Sequence, residues 1–133
     1  MQPFVYLAAL VVLATALGIV WRRTQGRVRV ATGEAAEFAA SGAKVTLLQF
    51  STEVCAPCRA THTVLEGIAG STDSVAHVDL DITNRADIAA RFNVLQTPTT
   101  LILDESGAVR ARIGGAVRRD VITRELDRLL EIA

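Results

Sequence analysis

No charged residue occurs between Phe4 and Trp21, and Leu, Val and Ala dominate that run. As a helix, its 18 residues rise about 27 Å, close to a hydrocarbon core of about 30 Å. Tyr6 and Trp21 fall near its two ends, where aromatic rings favour the membrane interface. A secretory signal would carry a basic start and a small-residue cleavage site. Met1-Gln2-Pro3 has no basic side chain, and Trp21-Arg22-Arg23 follows the run. A buried core helix would be shorter or amphipathic. The segment is therefore expected to be a retained single transmembrane helix.

Arg22, Arg23, Arg27 and Arg29 crowd the far side of the span. The positive-inside tendency puts that side in the cytoplasm. The expected location is the cell membrane, single-pass, with the folded domain cytoplasmic; the exported orientation is the alternative. The remainder of a 133-residue chain holds one domain. The division reads as residues 1–26, anchor and short tether, and residues 27–133, one folded domain. Net charge is zero, so a nucleic-acid role has no electrostatic support.

The domain alternates strand and helix patterns. Residues 27–30 read as a short first strand. Thr32 is a candidate cap for a helix over 33–40, stopped by Ser41-Gly42. Val45 to Phe50 is a compact apolar run suited to a central buried strand. A helix follows from about Pro57 to Ala69, with Ala60, Val64, Leu65 and Ile68 on one face. Strands are expected at 75–80, 99–103 and 108–113, a short helix at 84–92, and an amphipathic helix at 117–132. Asp104-Glu105-Ser106-Gly107 reads as a hairpin turn. The order β-α-β-α-β-α-β-β-α predicts an α/β fold, a mixed central sheet with helices on both faces.

The chain's two cysteines, Cys55 and Cys58, sit together at the junction of a strand and a helix. A secreted disulfide scaffold would spread its cysteines along the chain. A close pair is a redox or metal pair instead. The first turn of a helix presents unpaired N–H groups and partial positive charge. Both favour a thiolate, so the Cys55 pKa is expected below the free value of about 8.5. Pro57 suits the first helical turn, where its missing N–H costs little. A structural zinc needs four ligands, and only His62 and His77 remain to complete a set. No second pair has metal spacing, so no metal is expected.

Val54-Cys55-Ala56-Pro57-Cys58 resembles the tryptophan-cysteine-glycine-proline-cysteine active site of the thioredoxin family. Gln96-Thr97-Pro98-Thr99, about forty residues on, is similar to that family's cis-proline loop. Gly107 and Gly114 also fall where the family has glycines. The resemblance runs from Val28 to the C-terminus. It implies a thioredoxin fold and a thiol–disulfide oxidoreductase with Cys55 and Cys58 as catalytic thiols. It implies no cofactor beyond a redox-active Cys55–Cys58 disulfide. Thr97 and Pro98 would dock the extended substrate, with Pro57 and Gln49 supporting the site.

Three positions depart from the family pattern. The family's buried aspartate, six residues before the first cysteine, corresponds to Gln49, which cannot act as a base. Its two tryptophans near the site correspond to Ser51 and Val54. These departures imply altered turnover and a different docking surface. Glu53 is a candidate water-mediated proton relay, although an exposed loop carboxylate is the simpler expectation.

The expected activity is reduction of protein disulfides at the membrane surface, with partners that are protein disulfides or dithiols, including those of membrane proteins, and an unidentified reductant. A cytoplasmic domain favours the reductive direction. The alternatives are a tethered binding module with incidental thiols and a metallochaperone. The first leaves Cys55, Cys58, Pro57 and Pro98 without a purpose; the second lacks a Met-rich or His-rich segment. No phosphate loop, nucleotide fingerprint or peroxidatic Pro-Thr-Cys pocket occurs in the sequence.

Overall fold

In the computed structural model, which describes residues 1–132, the apolar run forms helix α1, Gln2–Thr24. None of its side chains is buried, and its mean hydropathy reaches 2.4. It is the one helix among the described residues long and apolar enough to cross a membrane. It extends beyond Trp21 into the segment expected to be a tether. Nothing in Arg22-Arg23-Thr24 breaks a helix, and Arg22 and Arg23 favour its negative C-terminal end. Gly26 then turns the chain at φ 72°, a conformation that suits glycine. Its N–H donates to the Gly114 carbonyl at 2.9 Å, fixing the chain to the domain directly after the helix.

The domain is a five-stranded mixed sheet of β1 (Val28–Val30), β2 (Val45–Ser51), β3 (Val75–Asp81), β4 (Thr99–Asp104) and β5 (Val109–Gly114). Its order is β1-β5-β4-β2-β3. β2 pairs in parallel with β3 and antiparallel with β4, and β1 and β4 pair antiparallel with β5. β2 is central and buried along its whole length. Alternate residues point to opposite faces. Val45 and Leu47 meet Ile102, Ala111 and Ile113 under helices α2 (Ala56–Ser71) and α4 (Arg119–Ile132). Leu48 and Phe50 meet Leu101, Leu103 and Val109 on the other face. That face is covered by α3 (Ala86–Arg91) through Ile88 and by a 3-10 turn, Ala36–Phe38, through Phe38.

This turn replaces the helix expected over 33–40. Glu34 bridges to Ala108, and the Ala35 N–H donates to the Gly107 carbonyl at 2.9 Å. The backbone entering the segment is thereby held extended against the β4–β5 hairpin. Thr32 caps nothing there, since the 3-10 turn starts after Ala35 without a side-chain cap.

The inward face of α2 also differs in one position. Cys58, Thr61, Leu65 and Ile68 are buried, whereas Ala60 is exposed. Their spacing follows a single helical stripe. Thr61 occupies it because its hydroxyl accepts from the Val117 N–H at the entrance to α4, at 3.4 Å.

Candidate active site

Cys55 is the residue before the first turn of α2, with extended backbone, and Ala56 and Pro57 open the helix. Pro57 is exposed there and forfeits no helical hydrogen bond. Cys55 and Cys58 are joined as a disulfide. The two cysteines lie in different surroundings. Cys58 keeps 4% of its exposure, while Cys55 is only half-buried.

The Thr97-Pro98 peptide is cis, as the family resemblance implies. Several contacts pin the loop, one of them to the segment that leads into α2. The Thr97 hydroxyl lies 3.4 Å from that of Thr52. The Pro98 carbonyl accepts from the Gly115 N–H at 2.8 Å. The Thr99 hydroxyl donates to the Gln96 carbonyl at 2.7 Å. Among the described residues no backbone hydrogen bond occupies Thr97, which leaves its peptide groups available to an extended chain. Val54, 96% exposed, and Leu95, 86% exposed, supply apolar surface beside the two site segments.

Gln49 follows Val45 and Leu47 on the face of β2 that α2 covers, which carries it beneath the cysteines. It is fully buried. Its amide nitrogen donates to the Cys58 carbonyl at 2.9 Å and to the Ser51 hydroxyl at 3.0 Å. Its amide oxygen lies 3.0 Å from His77 Nε2, so that nitrogen is the donor. Burial, reinforced by the nearby His62, holds the His77 pKa below the ordinary 6.5. A neutral imidazole with its proton on Nε2 satisfies this contact.

The parallel register sets Gln49 beside Asp79 and Leu47 beside His77. Both β3 residues therefore face α2. Asp79 Oδ1 accepts from the Ser51 hydroxyl at 2.7 Å, and Asp79 Oδ2 lies 2.7 Å from His62 Nδ1. His62 Nε2 is 3.3 Å from Glu66 Oε2 one turn later. The His62 and His77 rings meet edge-on at 4.9 Å between centroids. A cleft of about 350 Å³ opens along this arrangement, lined by Cys55, Cys58, Ser51, Arg59, His62 and Asp79 among others. Among the described residues no group of three or more His, Cys, Asp or Glu has metal-site geometry.

The sequence profile of the thioredoxin family matches residues 28–128. The chain belongs to the thioredoxin family. It is 37% identical over 86 residues to a thioredoxin of Mycolicibacterium smegmatis, covering 62% of this chain and 76% of that protein. It is 31% identical over 86 residues to Thioredoxin H2 of Arabidopsis thaliana, covering 65% of this chain and 63% of the plant protein. With the thiol:disulfide interchange protein HelX of Rhodobacter capsulatus it shares 27% identity over 110 residues, covering 65% of this chain and 61% of that one. A mutant thioredoxin from Halobacterium salinarum has the same fold, with a TM-score of 0.59 at 24% identity, covering 67% of this chain and 77% of that one. The thioredoxin-family domain is a protein-disulfide oxidoreductase. Helix α1 lies outside the family match.

Cys55, Cys58 and Pro57 stand out by their spacing, and Gln49, Thr97 and Pro98 by the family resemblance; the fold sets Gln49 against Cys58, and Thr97 against Thr52 in the segment before Cys55. In the sequence His62 and His77 stand out only as candidate zinc ligands, and nothing local marks Asp79 as a site residue. The signal was present in the strand alternation. Residues 75, 77 and 79 share a face, and the parallel pairing with 45, 47 and 49 turns that face toward α2.

Proposed function

We propose that this chain is a membrane-anchored disulfide reductase in which Cys55 attacks, Cys58 resolves and the Thr97–Pro98 loop docks the substrate. The observation that carries the reading is the unequal exposure of the two cysteines joined by one disulfide. The half-buried cysteine is the one an external disulfide can reach. The buried one is positioned to act only within the molecule.

In the reduced protein, the α2 N–H groups and dipole favour the Cys55 thiolate. It attacks one sulfur of the substrate disulfide, forming a mixed disulfide and releasing the other sulfur as a thiolate. Cys58 then gives up its proton and attacks Cys55 Sγ. The Cys55–Cys58 bond forms, the mixed disulfide breaks, and the second substrate thiol leaves. Two electrons pass from the dithiol to the substrate, and an external dithiol reductant restores the pair. Pro57 holds the helix opening, and Gln49 holds the Cys58 carbonyl.

Residues 1–26 serve as anchor and connection, and residues 27–133 as the redox domain. Arg22, Arg23, Arg27 and Arg29 favour a cytoplasmic domain. A cytoplasmic dithiol is kept reduced, which sets the direction of electron flow. The substrates are protein disulfides in, or beside, membrane partners. Full-length protein in detergent micelles should accelerate reduction of insulin disulfides by dithiothreitol, and Cys55→Ser should abolish the acceleration. Equal rates with and without the wild-type protein would overturn the reading.

A further inference from the structure

The fold places an exposed histidine–carboxylate pair on the cleft that holds both cysteines, at a site whose family position for a buried acid is Gln49. Resting on the disulfide-exchange reading above, we infer that His62 and Asp79 form the proton relay for Cys58. Gln49 cannot take a proton, and its amide is committed to three partners. The resolving thiol must nevertheless lose a proton before it attacks, and regain one when the disulfide is reduced.

The groups that surround His62 are assigned by geometry. Asp79 and His77 face it from β3; Glu66 and Arg59 lie on its own helix; Glu53 lines the cleft from the loop before Cys55. Asp79 is held on both sides, by Ser51 through Oδ1 and by His62 through Oδ2. Asp79 Oδ2 meets His62 at Nδ1, which leaves Nε2 as the ring nitrogen open to proton exchange. Glu66 Oε2, 3.3 Å away, then faces the new N–H. The imidazolium is thus met by two carboxylates. The His62 side chain keeps 41% of its exposure, so the proton can pass on to solvent. His77 is a poor substitute, because its Nε2 is engaged with Gln49 and burial disfavours its charge.

The exchange balances as follows. Cys58 Sγ–H gives its proton to His62, which lines the same cleft one helical turn further along α2, and the thiolate attacks Cys55 Sγ. The Cys55–substrate bond breaks, and the departing sulfur carries away the electron pair and becomes protonated. In the reverse direction the imidazolium returns the proton to Cys58 as its sulfur leaves Cys55. Imidazole is the side chain best suited to general acid–base work near neutral pH.

The test is stopped-flow reaction of the reduced full-length protein, in detergent micelles, with dithiobis(nitrobenzoate) across pH. Attack by Cys55 releases the first thionitrobenzoate, and resolution by Cys58 releases the second. In His62→Gln the ratio of second- to first-phase rates should fall about 10-fold or more near pH 7, and its rise should move toward higher pH. Asp79→Asn, isosteric and on the surface, should act in the same direction and carries the test should His62→Gln fail to fold. A relay is overturned if the ratio and its pH profile match wild type in a folded variant. Absence of a second phase in the wild-type protein itself would overturn the disulfide-exchange reading, and the relay with it.

Discussion

The side-chain amide of Gln49 donates to the carbonyl of Cys58 across 2.9 Å. This one contact joins the central strand to the first turn of α2, and so joins the core to the redox pair. The same amide serves Ser51 and His77, so the residue is a junction of the buried polar network. Its role is to hold groups in place rather than to move protons.

Gln49→Leu should therefore be costly despite conserving volume. It removes the partner of the His77 N–H, the amide donor to the Ser51 hydroxyl, and one of the two donors to the Cys58 carbonyl, which also accepts within α2. Each stranded group costs about 1–3 kcal/mol, so a total loss of about 2–4 kcal/mol is expected after relaxation. Denaturant unfolding of the micelle-bound protein measures it. A loss below about 0.5 kcal/mol would mean that the network adds little to stability.

Cys58→Ser should accumulate covalent mixed disulfides through Cys55, because no thiol remains to resolve them. Cys55→Ser should accumulate none. Thiol-sensitive adducts from membrane extracts, compared on non-reducing gels, provide the readout. The same set of adducts in both variants would reverse or cancel the assigned roles.

Much of this site was legible in the sequence because its chemistry is local. Cys55, Pro57 and Cys58 announce a strand-to-helix junction by spacing, and Thr97-Pro98 is visible before a strand. The relay was not legible in the same way. His62, Asp79 and Ser51 meet only through the register of β2 with β3 and the packing of α2 on that face of the sheet. The segment around Ala36 departs from its sequence pattern for a related reason. Its composition suits a helix, but a distant hairpin engages its backbone first.

Gly107 bears on that hairpin directly. It sits at φ 85°, and an added Cβ would lie 2.3 Å from the Ala36 Cα. Gly107→Ala must strain the turn and push the 3-10 segment away from the sheet. The backbone term alone is about 1 kcal/mol, and displacement of packed backbone should bring the total to about 2 kcal/mol or more. Thermal unfolding should show a drop of several degrees. An unchanged midpoint would require the 33–40 segment to be free of the hairpin.

The half-buried His77, whose pKa burial lowers, predicts a specific acid dependence. Its folded pKa lies below the ordinary 6.5, so the unfolded chain binds the proton more readily. Stability from this residue is present above pH 6.5 and is lost as pH falls through the depressed folded value. Carboxylates such as Glu37, Asp87 and Asp104, all lowered by hydrogen bonds from partners that include arginines, act in the same sense but at lower pH. Between about pH 5 and 6.5 the histidine effect should therefore stand apart. Unfolding midpoints of wild type and His77→Gln across that interval test it. A wild-type slope no steeper than that of the variant would remove His77 as the cause.

Topology has the widest biological consequence. Met1-Gln2-Pro3 carries no basic side chain, whereas Arg22, Arg23, Arg27 and Arg29 follow the span. Each arginine resists crossing the bilayer, and anionic lipids of the cytoplasmic leaflet attract it by about 1 kcal/mol. Arg22 and Arg23 belong to α1 itself, and Gly26 is bonded to Gly114. In the proposed membrane-anchored arrangement the arginines lie between membrane and domain, and the side chosen by one is the side chosen by the other. Ser106 reports that side: it is exposed on the turn between β4 and β5, away from the cysteines. In a Cys55→Ser/Cys58→Ser background, Ser106→Cys should resist a membrane-impermeant maleimide in intact cells and react after lysis. Reaction before lysis would place the domain outside the cell membrane. Electron supply would then have to come from that side, and the reductive direction proposed for a cytoplasmic domain would lose its basis.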